Sequence, residues 1–196
     1  MKKYLVTGGS GFIGSSLVKS LIAEGNHVRV FDNNSRGNLR RLQNVEDKIE
    51  FIQGDIRNIN EVQQACKGID SVCHLAFVNG TEFFYKYPEL VLEVGVKGMV
   101  NIIDGCIAND IPELILASSS EVYQSPNMIP TDESVPLIIP DPMNPRYSYG
   151  GGKIISELLA INYGRKNFEN VIPLCSHNLY GKFMSLFEKH NGLIPD

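Results

Sequence analysis

The sequence predicts an α/β protein, a doubly wound parallel sheet with helices on both faces, and three observations predict it. β-rich runs alternate with helically spaced apolar patterns along the chain, a glycine-spaced turn joins the first run to the first helix, and 196 residues give room for one full α/β domain, or one domain and a fragment of a second. With 43% apolar and 20% charged residues the chain can bury an ordinary core, which excludes a disordered chain. Its 18 Lys and Arg against 22 Asp and Glu leave a net charge of -4 with no dense basic run. That balance argues against a nucleic-acid partner, and any phosphate must be held locally.

The elements follow in order. Residues 4–7 form a short β-rich run, and after the glycines Ile13, Leu17, Val18, Leu21 and Ile22 recur at helical spacing. Residues 27–31 alternate into a second strand ending at Asp32, and residues 49–53 make a third. Asn58 with Glu61 reads as a capping box opening the next helix. A fourth strand is expected over 70–75, one long helix over 88–108, a fifth strand over 113–117, a helix over 149–163 and a sixth strand over 171–175. Successive strand-helix units imply right-handed crossovers and a parallel sheet. Pro126, Pro130, Pro136, Pro140, Pro142 and Pro145, six of the ten prolines, mark a long loop between the fifth strand and the 149–163 helix, a length usual for loops that are either functional or disordered.

Cys66, Cys73, Cys106 and Cys175 lie far apart with no Cys-x-x-Cys pair and read as buried, reduced thiols. His27, His74, His177 and His190 have no metal-ligand spacing, so no metal is expected. The basic start Met1-Lys2-Lys3 is followed by only three apolar residues before Thr7-Gly8-Gly9, too few for a signal peptide. No run is long and apolar enough to span a membrane, so a cytoplasmic protein without membrane or nucleic-acid partners is expected.

The chemistry concentrates in two places. Gly8, Gly11 and Gly14 form a Gly-x-x-Gly-x-x-Gly turn between the first strand and first helix. Glycine there allows a tight turn, close approach of backbone to a pyrophosphate and tight helix-strand packing, while the helix N-terminus offers N–H groups and a positive dipole end. Asp32, 18 positions after Gly14, can accept hydrogen bonds from an adenosine ribose and would repel a 2′-phosphate, which favours NAD over NADP. The pattern is that of a Rossmann-type dinucleotide site. The second place is Tyr149-Gly150-Gly151-Gly152-Lys153, which puts Tyr149 and Lys153 at i and i+4 on one helix face. A lysine cation and an oxidised nicotinamide both favour phenolate, so Tyr149 could serve as an acid/base. Ser118, Ser119, Ser120 and Glu121 close the fifth strand at the carboxyl edge, where hydroxyls can hold a substrate oxygen.

In these pieces the chain resembles the extended short-chain dehydrogenase/reductase family, specifically its nucleotide-sugar epimerases and dehydratases. The matching runs are Thr7 to Gly14, Gly54-Asp55-Ile56, His74-Leu75-Ala76, Ser118 to Tyr123, Tyr149 to Lys153, and His177-Asn178-Leu179-Tyr180-Gly181. The resemblance implies cofactor contacts from Gly8, Gly11, Phe12, Ile13, Gly14, Asp32, Asn33, Leu75 and Ala76, with Asp55 and Ile56 flanking the adenine. It implies Ser119 as catalytic hydroxyl, Tyr149 as base, Lys153 on the nicotinamide ribose, and Ser119, Ser120 and Asn178 facing a nucleotide-diphosphate sugar. Transient oxidation at C4 of the sugar then leads to an epimer, or to loss of water or carboxylate. Ser120-Glu121 is similar to the acid/base pair of dehydratases and decarboxylases, placing Glu121 near C5. The alternative is a protein that binds NAD but is catalytically incomplete.

Departures from the family pattern are Gly95 in place of an asparagine that supports the active-site tyrosine, Gln124 for a glycine, Cys175-Ser176 before His177, and Lys182 for a proline. The resemblance also implies that residues 1–176 form the NAD-binding domain and 177–196 only the start of a substrate-binding portion that is otherwise largely missing, and that the 88–108 and 149–163 helices pair a homodimer.

Overall fold

The computed structural model describes residues 1–174, in which six strands form one parallel sheet in the order β3-β2-β1-β4-β5-β6. The strands are β1 Lys3–Thr7, β2 His27–Asp32, β3 Ile49–Gln53, β4 Ser71–His74, β5 Glu113–Ala117 and β6 Asn170–Leu174. The helices are α1 Phe12–Ala23, α2 Ile59–Cys66, α3 Thr81–Lys86, α4 Pro88–Leu92, α5 Gly98–Ala108 and α6 Ser148–Asn167. The strand order reverses between β1 and β4, where Thr7 stands beside His74 in register. In open parallel sheets ligands bind in the crevice outside the strand ends at such a switch point.

Strand alternation sorts the apolar residues onto two faces. Leu5, Phe31, Val72, Leu114 and Leu116 point to one core with α2, α5 and α6, while Val6, Val28, Val30 and Cys73 point to the other with α1. Each such fully buried side chain contributes about 1.5–3 kcal/mol by leaving water. Cys66, Cys73 and Cys106 are buried free thiols; Cys175 lies outside the described residues.

Three elements differ from expectation. The single helix expected over 88–108 is α4 and α5 joined by a π-helical turn, Glu93–Lys97, so one extra residue is accommodated around Gly95. The short helix α3 was not anticipated. The capping at α2 is a variant: Asn58 Oδ1 accepts from the Asn60 N–H at 3.1 Å, but Glu61 accepts from the Asp55 N–H at 2.8 Å rather than from the cap residue's backbone. Glu61 thereby fixes the loop that carries Asp55. Among the described residues no helix is long and apolar enough to cross a membrane, and no His, Cys, Asp and Glu cluster could hold a metal ion.

Candidate active site

Four segments meet at the carboxyl edge of the sheet around the switch point. In the β1–α1 turn, Gly8 has φ +70° and a Cβ there would lie 2.8 Å from Ala76 N, so glycine is required both by conformation and by the passing β4 backbone. A Cβ at Gly14 would fall 2.2 Å from Gly8 O, whereas one at Gly11 would meet only that same oxygen at 3.0 Å. Gly11 caps α1 without a side-chain hydrogen bond, and the first intrahelical bond is from Ser15 N–H to Gly11 O at 3.1 Å. The N–H groups of Phe12, Ile13 and Gly14 therefore have no intrahelical acceptor and make an anion cradle at the positive end of a 12-residue helix.

Asp32 ends β2 and is nearly buried. Its Oδ2 accepts from Ser10 N–H at 3.0 Å and its Oδ1 from Asn34 N–H at 2.9 Å, so the carboxylate clamps the glycine turn as well as standing beside the ligand crevice. That clamping role was not read from the sequence. Asn33 and Asp55, from different loops, come together at 3.2 Å. Asp55 also accepts from the Arg57 guanidinium at 2.8 and 3.0 Å, which holds its carboxyl down to about 2 despite partial burial. Ile56 is buried on α5, where only a glycine at 98 leaves room for it, and its carbonyl accepts from Asn101 Nδ2 at 2.9 Å. Leu75 and Ala76 leave β4 beside the glycine turn, and Ala76 N–H donates to Thr7 Oγ1 at 3.2 Å. Thr7 Oγ1 shares a 2.8 Å hydrogen bond with His74 Nδ1, and burial pushes that imidazole down to about 3, so it stays neutral.

The second cluster surrounds α6. Tyr149 and Lys153 are buried one turn apart, and the Ser119 side chain hydrogen-bonds to Tyr149. Ser119 also accepts from Glu121 N–H at 3.2 Å, capping the 3-10 turn Ser120–Val122 that follows β5. Lys153 Nζ donates to Ala117 O at 2.6 Å, and burial pushes the amine down to about 7, opposed by the nearby Glu157 carboxylate. For Tyr149 burial wins: the phenol is raised above 10, against the Ser119 hydrogen bond that lowers it and with the Glu121 charge raising it further. The expectation that a lysine cation and an oxidised nicotinamide favour phenolate concerns the cofactor-bound protein; in the protein alone burial dominates at Tyr149. Lys153 is turned to the Ala117 carbonyl, and its burial disfavours the charged form.

Several contributors escaped the sequence reading. Phe77 and Phe84 hold the Tyr149 ring, edge-on at 5.1 Å and stacked at 5.2 Å. Glu157, which accepts from Ser118 Oγ, was readable in principle, since 149, 153 and 157 continue one i, i+4 face. The departures also take physical form. Phe77 fills the space that a side chain at Gly95 would need, and Gln124 adopts φ +54°, its amide donating back to Glu121 O. Asn178, the expected diphosphate contact, lies outside the described residues.

A glycine-cradled helix end and a Ser-Tyr-Lys cluster on one sheet edge coincide with the sequence comparison, in which residues 4–195 match the family model of the NAD dependent epimerase/dehydratase family. The chain belongs to that family. It is 30% identical over 185 residues to UDP-glucuronic acid decarboxylase 1 of Danio rerio, covering 94% of this chain and 43% of the relative. Among solved structures, UDP-glucose 4-epimerase from Brucella ovis in complex with NAD superposes with a TM-score of 0.80 at 26% identity, covering 91% of this chain and 52% of that one. The dTDP-glucose 4,6-dehydratase DesIV from Streptomyces venezuelae, solved with NAD bound, gives 0.84 at 26% identity, covering 97% and 62%. The chain thus spans about half the length of the relatives it matches.

Proposed function

We propose that the chain carries the NAD-binding and redox half of a nucleotide-sugar epimerase or dehydratase. The cradle fits the cofactor: uncapped N–H groups at α1 suit a pyrophosphate, and a carboxylate at the end of β2, Asp32, supports a ribose contact. NAD, when bound, supplies the hydride acceptor for transient oxidation of the sugar at C4 and returns the hydride afterwards.

The observation that carries the catalytic reading is the Ser119–Tyr149 hydrogen bond with Lys153 one turn away. Ser119 orients the phenol and offers its hydroxyl to the sugar oxygen. Tyr149 takes the proton from the C4 hydroxyl as the hydride leaves. Because burial keeps the free phenol protonated, its activation requires positive charge beside it, which Lys153 in its charged form would supply and a bound oxidised nicotinamide would add to. Ser120 and Glu121 follow the same strand end as Ser119, and their resemblance to the acid/base pair of dehydratases and decarboxylases supports proton transfer near C5, hence loss of water or carboxylate over simple epimerisation. Residues 1–176 form the cofactor domain and 177–196, with Asn178, begin the sugar-binding portion. We assign the working form to a cytoplasmic homodimer.

A second reading, NAD binding without sugar conversion, rests on Gly95, whose side-chain space Phe77 fills beside the Tyr149 ring. Incubation with NAD and a pool of nucleotide sugars in heavy water, read by mass spectrometry, separates them. An epimer without deuterium means internal hydride return, and loss of water or carbon dioxide with deuterium gained means Glu121 chemistry. Tyr149→Phe should lower turnover by at least about a hundredfold while sparing NAD binding. Equal turnover by that variant would falsify the assignment of Tyr149, and unchanged sugars with NAD bound leave the second reading.

A further inference from the structure

Phe77 stands where α6, the π turn and the end of β4 meet. A Cβ at Gly95 would lie 2.4 Å from its Cζ and one at Gly152 3.2 Å, so the ring enters a slot kept open by two glycines. Its face then carries Lys153 Nζ at 4.0 Å from the centroid, and it meets the Tyr149 ring at 5.1 Å with an interplanar angle of 80°. Among the described residues no carboxylate reaches Lys153 within ion-pair distance. Among the described residues the hydrogen-bond acceptor of this buried amine is the Ala117 carbonyl.

We propose that Phe77 is a positioning residue for Lys153, its π face holding the buried ammonium as a cation beside Tyr149 in place of a carboxylate partner. The proposal rests on Lys153 and Tyr149 being the working pair. An aromatic face attracts a cation most strongly away from water; here the lysine is buried and the ring half-buried against the core. The glycines at 95 and 152 become intelligible on this view: each removes a side chain that would displace the ring from under the ammonium. An ordinary packing role would need volume at position 77 and nothing of its electronics.

The groups facing Lys153 are His74 of β4, the Ala117 carbonyl of β5, and Tyr149 and Glu157 of α6. The π turn presents the uncharged Gly95, and Glu121 after β5 acts on Tyr149. Of the titratable groups among these only Tyr149 touches Phe77, and a fluorinated ring of unchanged shape keeps that contact, so the fluorinated variant isolates the ring's electronics from its volume. The experiment is NMR of the whole chain labelled with 15N-lysine, following the Lys153 Nζ signal against pH without cofactor or sugar. The wild-type midpoint should lie near about 7. Phe77→Leu, which keeps much of the volume, should lower it by about one pH unit, and 3,5-difluorophenylalanine at position 77, which keeps the shape but weakens the negative face, by about half a unit. Midpoints that stay at the wild-type value in the folded variants overturn the proposal. Should Phe77→Leu fail to fold, the fluorinated protein decides alone. Because no turnover is read, absence of sugar conversion sinks the proposed function without touching this result, and an unmoved midpoint does the reverse.

Discussion

The three glycines of the β1–α1 turn are not equivalent, and the difference predicts separate defects. Gly14 needs its hydrogen because a Cβ would sit 2.2 Å from a backbone oxygen that cannot move aside. Gly14→Ala should therefore cost about 2 kcal/mol of stability, read by urea unfolding. Gly11 has an ordinary φ of -70° and little near it, so Gly11→Ala should leave stability within about 0.5 kcal/mol of wild type. In the proposed pyrophosphate cradle its methyl should instead weaken NAD binding at least about tenfold by calorimetry. A Gly11→Ala protein that binds NAD normally would remove the cradle from the argument. Lys153 gives a pH signature at the same scale. Its folded value near about 7 lies below the ordinary 10.5, so between those limits the unfolded chain binds more protons and stability rises with pH. Relative to Lys153→Met, the wild type should gain about 1 kcal/mol per pH unit from pH 7 towards 10. Parallel stability curves for the two proteins would contradict the buried amine. The glycine spacing, Asp32 and the Tyr149–Lys153 pair were legible in the sequence because each depends on local spacing. Phe77 was not, because its role comes from two absent side chains at 95 and 152 that only the fold brings together.

Among the elements, all six strands were legible to within a residue or so at the ends described, since each is a short apolar run bounded by turn residues. The π turn was not, because Gly95 changes the helix only through tertiary contacts: Ser156 Oγ of α6 donates to Gly95 O at 3.1 Å as well as to Gly152 O at 2.8 Å. Helix α6 is the element whose composition conflicts most with its state, with three glycines in its first turns that each cost about 1 kcal/mol against alanine. The structure divides them. A Cβ at Gly150 would meet the Glu121 carbonyl at 3.0 Å and the Gln124 amide at 2.7 Å, and one at Gly152 would meet Phe77 at 3.2 Å, whereas at Gly151 the neighbour is the tip of Ile139 in a loop, at 3.3 Å. Gly151→Ala should therefore raise stability by about 0.5 kcal/mol, helix propensity outweighing a small shift of Ile139. Gly150→Ala should lower it. Thermal unfolding of the two variants tests the division, and equal effects of one sign would refute it.

At the scale of the molecule, the doubly wound sheet buries both faces, and the exposed apolar residues that remain are unevenly distributed. Val100 and Ile107, seven apart on α5, and Leu158 and Ile161, three apart on α6, are all exposed. Spacings of three and seven keep each pair on one side of its helix, and α5 and α6 pack against each other, so the four side chains lie on neighbouring helices. Single exposed apolar residues are ordinary, and these four are the ones the proposed homodimer would cover. A symmetric dimer through these helices buries the same residues from both copies, the self-complementary geometry of a twofold interface. Tyr149 and Lys153 lie on the opposite, buried side of α6, so disrupting the outer face leaves the site's own contacts in place. Leu158→Asp combined with Ile161→Asp should convert a dimer to a monomer in light scattering after size-exclusion chromatography. The circular dichroism spectrum should be unchanged, because neither side chain belongs to the core. A wild-type chain that is monomeric at micromolar concentration would dispose of the homodimer, and a double variant that stays dimeric would move the interface to another face.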